Sequence, residues 1–167
     1  MIIMSENSPY IEHPKRLSDV IALLQIMGSY PYANRKVEKW EKTIGRSPVS
    51  GTDWTEVLNA HPEFFRVKDG LAILLWRRAY DRTFNPIDGK TYSSEELEKM
   101  ETLPEEEQIA LTRQTLTSDQ VATLIDSAIK IHAAAIAFNT ENRWRIPVLV
   151  GILGILAGAF INGYKAH

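Results

Sequence analysis

The 167-residue chain has no cysteine. That excludes disulfides, thiolate catalysis and cysteine-based zinc sites. Histidine is scarce: His13, His61, His132 and His167 stand far apart, with neither the HExxH nor the Asp-x-His spacing of metal hydrolases. No charge sign dominates. Nineteen Lys and Arg face 21 Asp and Glu, a net of -2, which argues against non-specific polyanion binding by the chain as a whole. Phosphate-loop chemistry is missing too. Gly89-Lys90-Thr91 resembles the end of such a loop, but Phe84 stands where its first glycine belongs. Asp81 to Asp88 mimics a calcium loop, but Pro86 holds the position that needs glycine. No nucleophile elbow is present. These gaps leave no residue to nominate for catalysis, a cofactor or a metal.

Long apolar runs are absent as well, with one exception. Residues 146–164 read IPVLVGILGILAGAFINGY, 19 residues without a charge. As a helix this stretch is about 28 Å long, close to the hydrocarbon thickness of a bilayer. Arg143, Trp144 and Arg145 precede it, and Tyr164 and Lys165 close it, as interface anchors do. A transmembrane helix is therefore expected over 146–164, with the lipid bilayer as a partner. Three residues follow, so a tail-anchored arrangement is expected. No export signal precedes the domain and two arginines lie just before the span. The expected location is a bacterial inner membrane, with the N-terminal domain cytoplasmic. Gly151, Gly154, Gly158 and Asn162 fall on one face of the span. Small residues let helices approach and a buried Asn bonds across the contact, so self-association is expected there.

Upstream, Thr117-Ser118-Asp119-Gln120 offers a helix cap, with Ser118 the expected capping residue. Val121, Leu124, Ala128, Ile131, Ala135 and Phe138 then follow in steps of three and four, a heptad pattern. Residues 117–145 are predicted to be a stalk helix. Its stripe serves either an oligomeric coiled coil or packing on the chain's own domain.

The N-terminal part reads as three helices and a hairpin. Residues 1–14 are polar, carry Pro9 and Pro14, and are expected to form a flexible tail. Leu17, Val20, Ile21, Leu24 and Met27 mark one helix face. A second helix is predicted over Arg35–Ile44, ended by Gly45. A third starts at Asp53-Trp54-Thr55-Glu56 and ends before Pro62. Phe64–Val67 and Leu71–Trp76 read as strands around the turn Lys68-Asp69-Gly70. Trp54, Phe64, Phe65 and Trp76 are expected in the core. Three helices followed by a hairpin is the winged-helix order, so residues 15–82 are predicted to be a winged-helix-like domain in a mainly α chain.

His61-Pro62-Glu63-Phe64-Phe65-Arg66, leading into a hairpin, resembles the end of the third helix in HARE-type and related winged-helix domains. With Leu75-Trp76-Arg77-Arg78 and the apolar span, the whole chain resembles a family of small bacterial membrane proteins. Members are sometimes labelled N-carbamoyl-L-amino-acid hydrolases, which implies an amidohydrolase activity but supplies no catalytic position in this sequence. Those enzymes use metal, and no ligand cluster of that kind is spaced here.

The third helix carries Asp53, Glu56, Asn59 and His61 and no Lys or Arg, unlike a helix that reads bases. A candidate basic recognition surface comes instead from Arg35, Lys36, Lys39, Lys42 and Arg46, with Arg66, Lys68, Arg77, Arg78 and Arg82 around the hairpin. Residues 1–92 hold 13 basic and 11 acidic groups, a thin surplus for phosphate-driven binding. Residues 83–116 are expected to be an acidic linker with short helices, starting at Ser93-Ser94-Glu95-Glu96 and Leu103-Pro104-Glu105-Glu106. The resulting expectation is a membrane-anchored recognition or scaffold protein, a homo-oligomer self-associating through stalk and transmembrane helix, with a protein partner, in a stress or phage response. A membrane-tethered DNA-binding regulator is the alternative, and an amidohydrolase a third reading.

Overall fold

The computed structural model describes residues 8–101 and 110–140. The predicted span 146–164, with Gly151, Gly154, Gly158, Asn162 and the anchors Arg143, Trp144, Arg145, Tyr164 and Lys165, lies outside the described residues. So does the helix start expected at Leu103.

The described part is a mixed helical fold around a small antiparallel sheet. Its elements are α1 (Pro9–Glu12), α2 (Arg16–Ser29), β1 (Asn34–Lys36), α3 (Val37–Ile44), α4 (Trp54–Ala60), β2 (Phe65–Lys68) and β3 (Leu71–Leu74). A 3-10 turn at Leu75–Ala79 and α5 (Ser94–Glu101) follow, and α6 runs over Ser118–Thr140. The strand order is β1-β3-β2.

Local chemistry accounts for most boundaries. Asp53 caps α4 by accepting the Glu56 N–H at 2.9 Å. Gly45 takes the left-handed conformation (φ 77°) that closes α3. Asp69 and Gly70 both have positive φ, 52° and 73°. That is the two-residue hairpin turn whose twist matches the strands it joins. Ser93 and Glu96 cap each other's backbone at the start of α5. Thr117 and Gln120 do the same for α6, so the cap is Thr117 and not the predicted Ser118.

Five expectations need correction. The second helix begins at Val37, because Arg35 and Lys36 are extended and pair with Ala72 and Leu71 of β3. The second hairpin strand stops at Leu74, where the chain winds into the 3-10 turn. The tail expected over 1–14 contains α1, and Tyr10 is buried in the core, its ring 4.6 Å from His61 and 5.4 Å from His132. Proline at the first helical position permits this, since its missing N–H would be unpaired there anyway. The linker expected over 83–116 pairs within itself and returns to the domain toward its C-terminal end, where Thr112 Oγ1 accepts the Ala33 N–H. Phe84 bridges Thr91 and Thr112, and Leu116 is buried with its N–H on the Gly28 carbonyl.

The fifth correction concerns the stalk. Ala128 and Ala135 are buried in the same core as α2, and Val121, Leu124 and Ile131 pack against it. The heptad stripe therefore lies on the chain's own domain, with alanine keeping the helices close. A Cβ at Gly28 would stand 2.7 Å from Val121 Cγ2, so glycine is what lets α2 and α6 approach. Beside the stripe Ile129 and Ile136 stay exposed, and so does Phe138 at the stripe's C-terminal end. Among the described residues α6 is the one helix long and apolar enough to cross a membrane, with 11% of its most apolar stretch buried.

The core lies between α2, α3, α4 and the inner sheet face, where Phe65, Ala72 and Leu74 meet Trp40, Trp54 and Leu58. The buried indoles also bond. Trp40 donates to the Ala72 carbonyl and Trp54 to that of Arg46.

Candidate functional site

Alternation along the strands gives the sheet two different faces. Phe65, Ala72 and Leu74 turn inward, while Arg66 and Lys68 of β2 and Asn34 and Lys36 of β1 are exposed. The register aligns the outer residues in two rows. One is Asn34-Ile73-Arg66 and the other Lys36-Leu71-Lys68, each with an apolar residue at its centre.

Two adjoining concavities share Asn34 and Leu71 on this face. The first has room for about 360 Å³. Arg66, Lys68, Arg78, Arg82 and Arg113 line it, with Asp69 the single carboxylate. The second, about 510 Å³, is lined by Arg35, Lys36 and Lys39 beside Tyr30 and Tyr32. In a chain of net charge -2, this is a local concentration of positive charge.

Arg77 is tied to two residues of the first groove: it precedes Arg78 in the chain and bonds the Arg113 carbonyl. Predicted as a surface cation, it is fully buried. Its guanidinium donates to five carbonyls, those of Met27, Tyr30, Pro31, Arg113 and Gln114, at 2.6–3.0 Å. It thereby ties the end of α2 to the segment before α6. The physical reason is geometric: a planar fork with five N–H groups can close several chain ends that no other side chain reaches. Burial, with the neighbouring Arg113 charge second, lowers its pKa from 12.5 to about 10, so it stays charged at neutral pH. Carbonyl dipoles satisfy its hydrogen bonds, and among the described residues no carboxylate forms an ion pair with it. Arg113 Nε is also buried without a hydrogen-bond partner among the described residues.

The other predicted basic residues divide. Arg35 is held by ring faces and a hydroxyl. Its Cζ lies 4.2 Å from the Tyr30 ring centre and 5.1 Å from that of Trp40, and it donates to Thr43. Arg46 is spent on Asp19 at 2.8 Å and covers the Trp54 ring, so it belongs to the framework. Lys42 is exposed on α3 and lines neither groove. Arg113 and Tyr32 escaped the sequence reading. Arg113 sits in an acidic stretch, where a lone cation was the available signal, and Tyr32 stands alone between two helices.

The α4 side differs. Buried Asp19 accepts from the backbone of Val49 and Ser50, the Ser50 hydroxyl and Arg46, pinning the loop before α4. Glu56 accepts from the Thr52 N–H and from buried Arg16. Those bonds, the Thr52 backbone first, pull its pKa from 4.5 to about 2. Thr55 and Asn59 are the exposed side chains along the helix, so this surface offers no cation. Beneath α1, His61 bonds Glu63 at 2.8 Å. The Tyr10 hydroxyl is pushed well above its usual pKa by burial, with the Glu63 charge second. This cluster locks α1, α4 and α6 together through ring contacts. Among the described residues no three His, Asp or Glu side chains group so as to hold a metal.

Comparison with protein-family models, with curated proteins and with solved structures finds no match.

Proposed function

We propose that this chain is a membrane-anchored recognition protein whose working surface is the basic outer face of its sheet. The observation that carries the reading is the gathering of Arg66, Lys68, Arg78, Arg82 and Arg113 around one groove. On this reading the head is winged-helix-like: the order helix, strand, two helices, hairpin fits that class, as does the resemblance to HARE-type domains. Its partner is anionic, and its third helix is framework.

The anchor is residues 146–164, as in the small bacterial membrane proteins the sequence resembles, with the head in the cytoplasm. We assign the span there and not to α6 because the inner stripe of α6 already packs on the head. The exposed Asp126 and Lys130 also pair on α6 at 2.6 Å. Self-association is left to the Gly151, Gly154, Gly158 and Asn162 stripe, because the heptad of α6 is occupied. A scaffolding role in a stress or phage response remains part of this proposal.

Two measurements test it. Carbonate extraction of membranes should leave the full chain in the pellet and release a chain ending at residue 145. The full chain in neutral detergent micelles should be retained on heparin, a generic polyanion, and elute early as Arg66→Glu/Arg82→Glu. A carbonate-soluble full chain overturns the anchor, and passage through heparin at low salt overturns the working surface.

A further inference from the structure

We propose that the outer sheet face binds single-stranded nucleic acid, with phosphates in the first groove and a base stacked on Tyr32. This deepens the proposed working surface and rests on that reading.

Three features select this partner among polyanions. The first is charge without internal neutralisation. Among the described residues the side chains of Arg66, Lys68, Arg78 and Arg82 have no ion-pair or hydrogen-bond partner, and all four are exposed. Arg113 lines the same groove and lies near enough to buried Arg77 for the two positive charges to act on each other. A phosphate backbone neutralises such a row and releases its counterions.

The second feature is an aromatic platform continuous with the charge. Tyr32 is 44% exposed in the second concavity, which abuts the first at Asn34 and Leu71. Its ring centre lies 6.3 Å from that of Tyr30, which the Arg35 guanidinium and the Trp40 ring support from behind. An exposed ring held by a tilted ring contact, beside a cationic groove, is what a base with an unpaired face requires. Acidic polypeptides and lipid headgroups supply charge but no flat ring to stack. Duplex DNA hides its base faces, and the α4 surface has no cation to enter its groove.

The third feature is position. The groove lies at the N-terminal end of α6: Arg113 precedes that helix by five residues, and Gln120 bonds Tyr80 just past the turn that carries Arg78. The proposed span follows the other end of α6, some 33 Å along the helix. Electrostatic attraction to headgroups is screened within about 8 Å at physiological salt.

The test uses the full chain in neutral detergent micelles and fluorescence anisotropy with a labelled single strand of about 15 nucleotides. The same duplex, phosphatidylserine vesicles and polyglutamate are competitors. The expected result is single-strand binding whose log-log salt slope is near -3.5, for about five phosphate contacts. Arg66→Glu/Arg82→Glu should weaken it at least tenfold and flatten the slope by more than one unit, at about 0.7 per lost contact. Tyr32→Ala should weaken it about 5- to 100-fold with the salt slope unchanged, as loss of a stacked base predicts. Heparin retention of Tyr32→Ala should match the parent. Thermal unfolding of the variants should match the parent too, since these side chains are exposed.

Heparin retention without preference for the single strand over duplex, vesicles or polyglutamate overturns this inference and leaves the proposed surface standing. So does unchanged single-strand affinity in Tyr32→Ala. Failure on heparin as well overturns both.

Discussion

Two exposed surfaces of the head carry opposite chemistry. The outer face of the sheet is concave and cationic, and buried Arg77 braces it by holding the Arg113 backbone. The α4 surface is neutral to acidic, and its charged groups are spent on its own loop. On the proposed winged-helix-like reading one looks first to α4, but its charges here hold the framework. The lesson is that element order names a class of fold, while the chemistry of each surface decides which one works.

The sharpest way to break the contrast is to remove the brace. Arg77→Ala leaves five carbonyls without their donor, and losing a buried charged network costs about 3–5 kcal/mol. Chemical denaturation should show a midpoint far below the parent's, and Arg77→Lys should recover only part, since an ammonium has three donors. The α4 side has its own counterpart. Asp19→Ala strands the Val49 and Ser50 donors and should cost about 2–4 kcal/mol, read in the same experiment. Its folded fraction should keep parental heparin retention, because the sheet face is untouched.

Next comes the seam between the head and α6. Gly28→Val pushes against Val121 and should destabilise by about 1–3 kcal/mol, with Val121→Ala restoring part of the loss. The acid response should separate the two surfaces further. Glu56 has a pKa lowered from 4.5 to about 2. Its contribution is complete above about pH 4.5 and fades as pH falls toward 2, so hydrogen exchange near Thr52 and α4, taken relative to the intrinsic rate at each pH, should rise over that window. Glu56→Gln should flatten that rise. The smallest effect belongs to Thr55→Lys: stability should move by no more than about 0.5 kcal/mol. If heparin retention and oligonucleotide binding rise as much in Thr55→Lys as they fall in Arg66→Glu/Arg82→Glu, the contrast between the surfaces is lost.

Much of the framework was legible from neighbouring residues. The Asp53 cap, the Asp69-Gly70 turn and the stop at Gly45 are bonds or dihedrals set within a few positions, and each falls where the sequence places it. Errors arose where a distant segment decided. Arg35 and Lys36 read as helix but are recruited by β3. Pro9 to Glu12 read as tail until Tyr10 finds His61 and His132. Of the candidate site, nine of the ten basic residues named at the outset are not deeply buried, and seven of them line the two grooves. Arg113 was invisible because its place beside them depends on the return of the chain from α5.

The sequence by itself determined the starts of α4 and α5, the hairpin turn, the helical periodicity of α2 and α6, and the apolar composition of residues 146–164. These depend on spacing and side-chain type alone. Only the tertiary structure decided that Arg77 goes inside and Arg78 outside, and that the heptad of α6 lies on its own head. Adjacent residues in a tight turn point in different directions, and which direction is interior depends on carbonyls about 36 to 50 positions away. A long-range bond of that kind leaves no local pattern, so the cationic surface emerged only when the chain was closed around it.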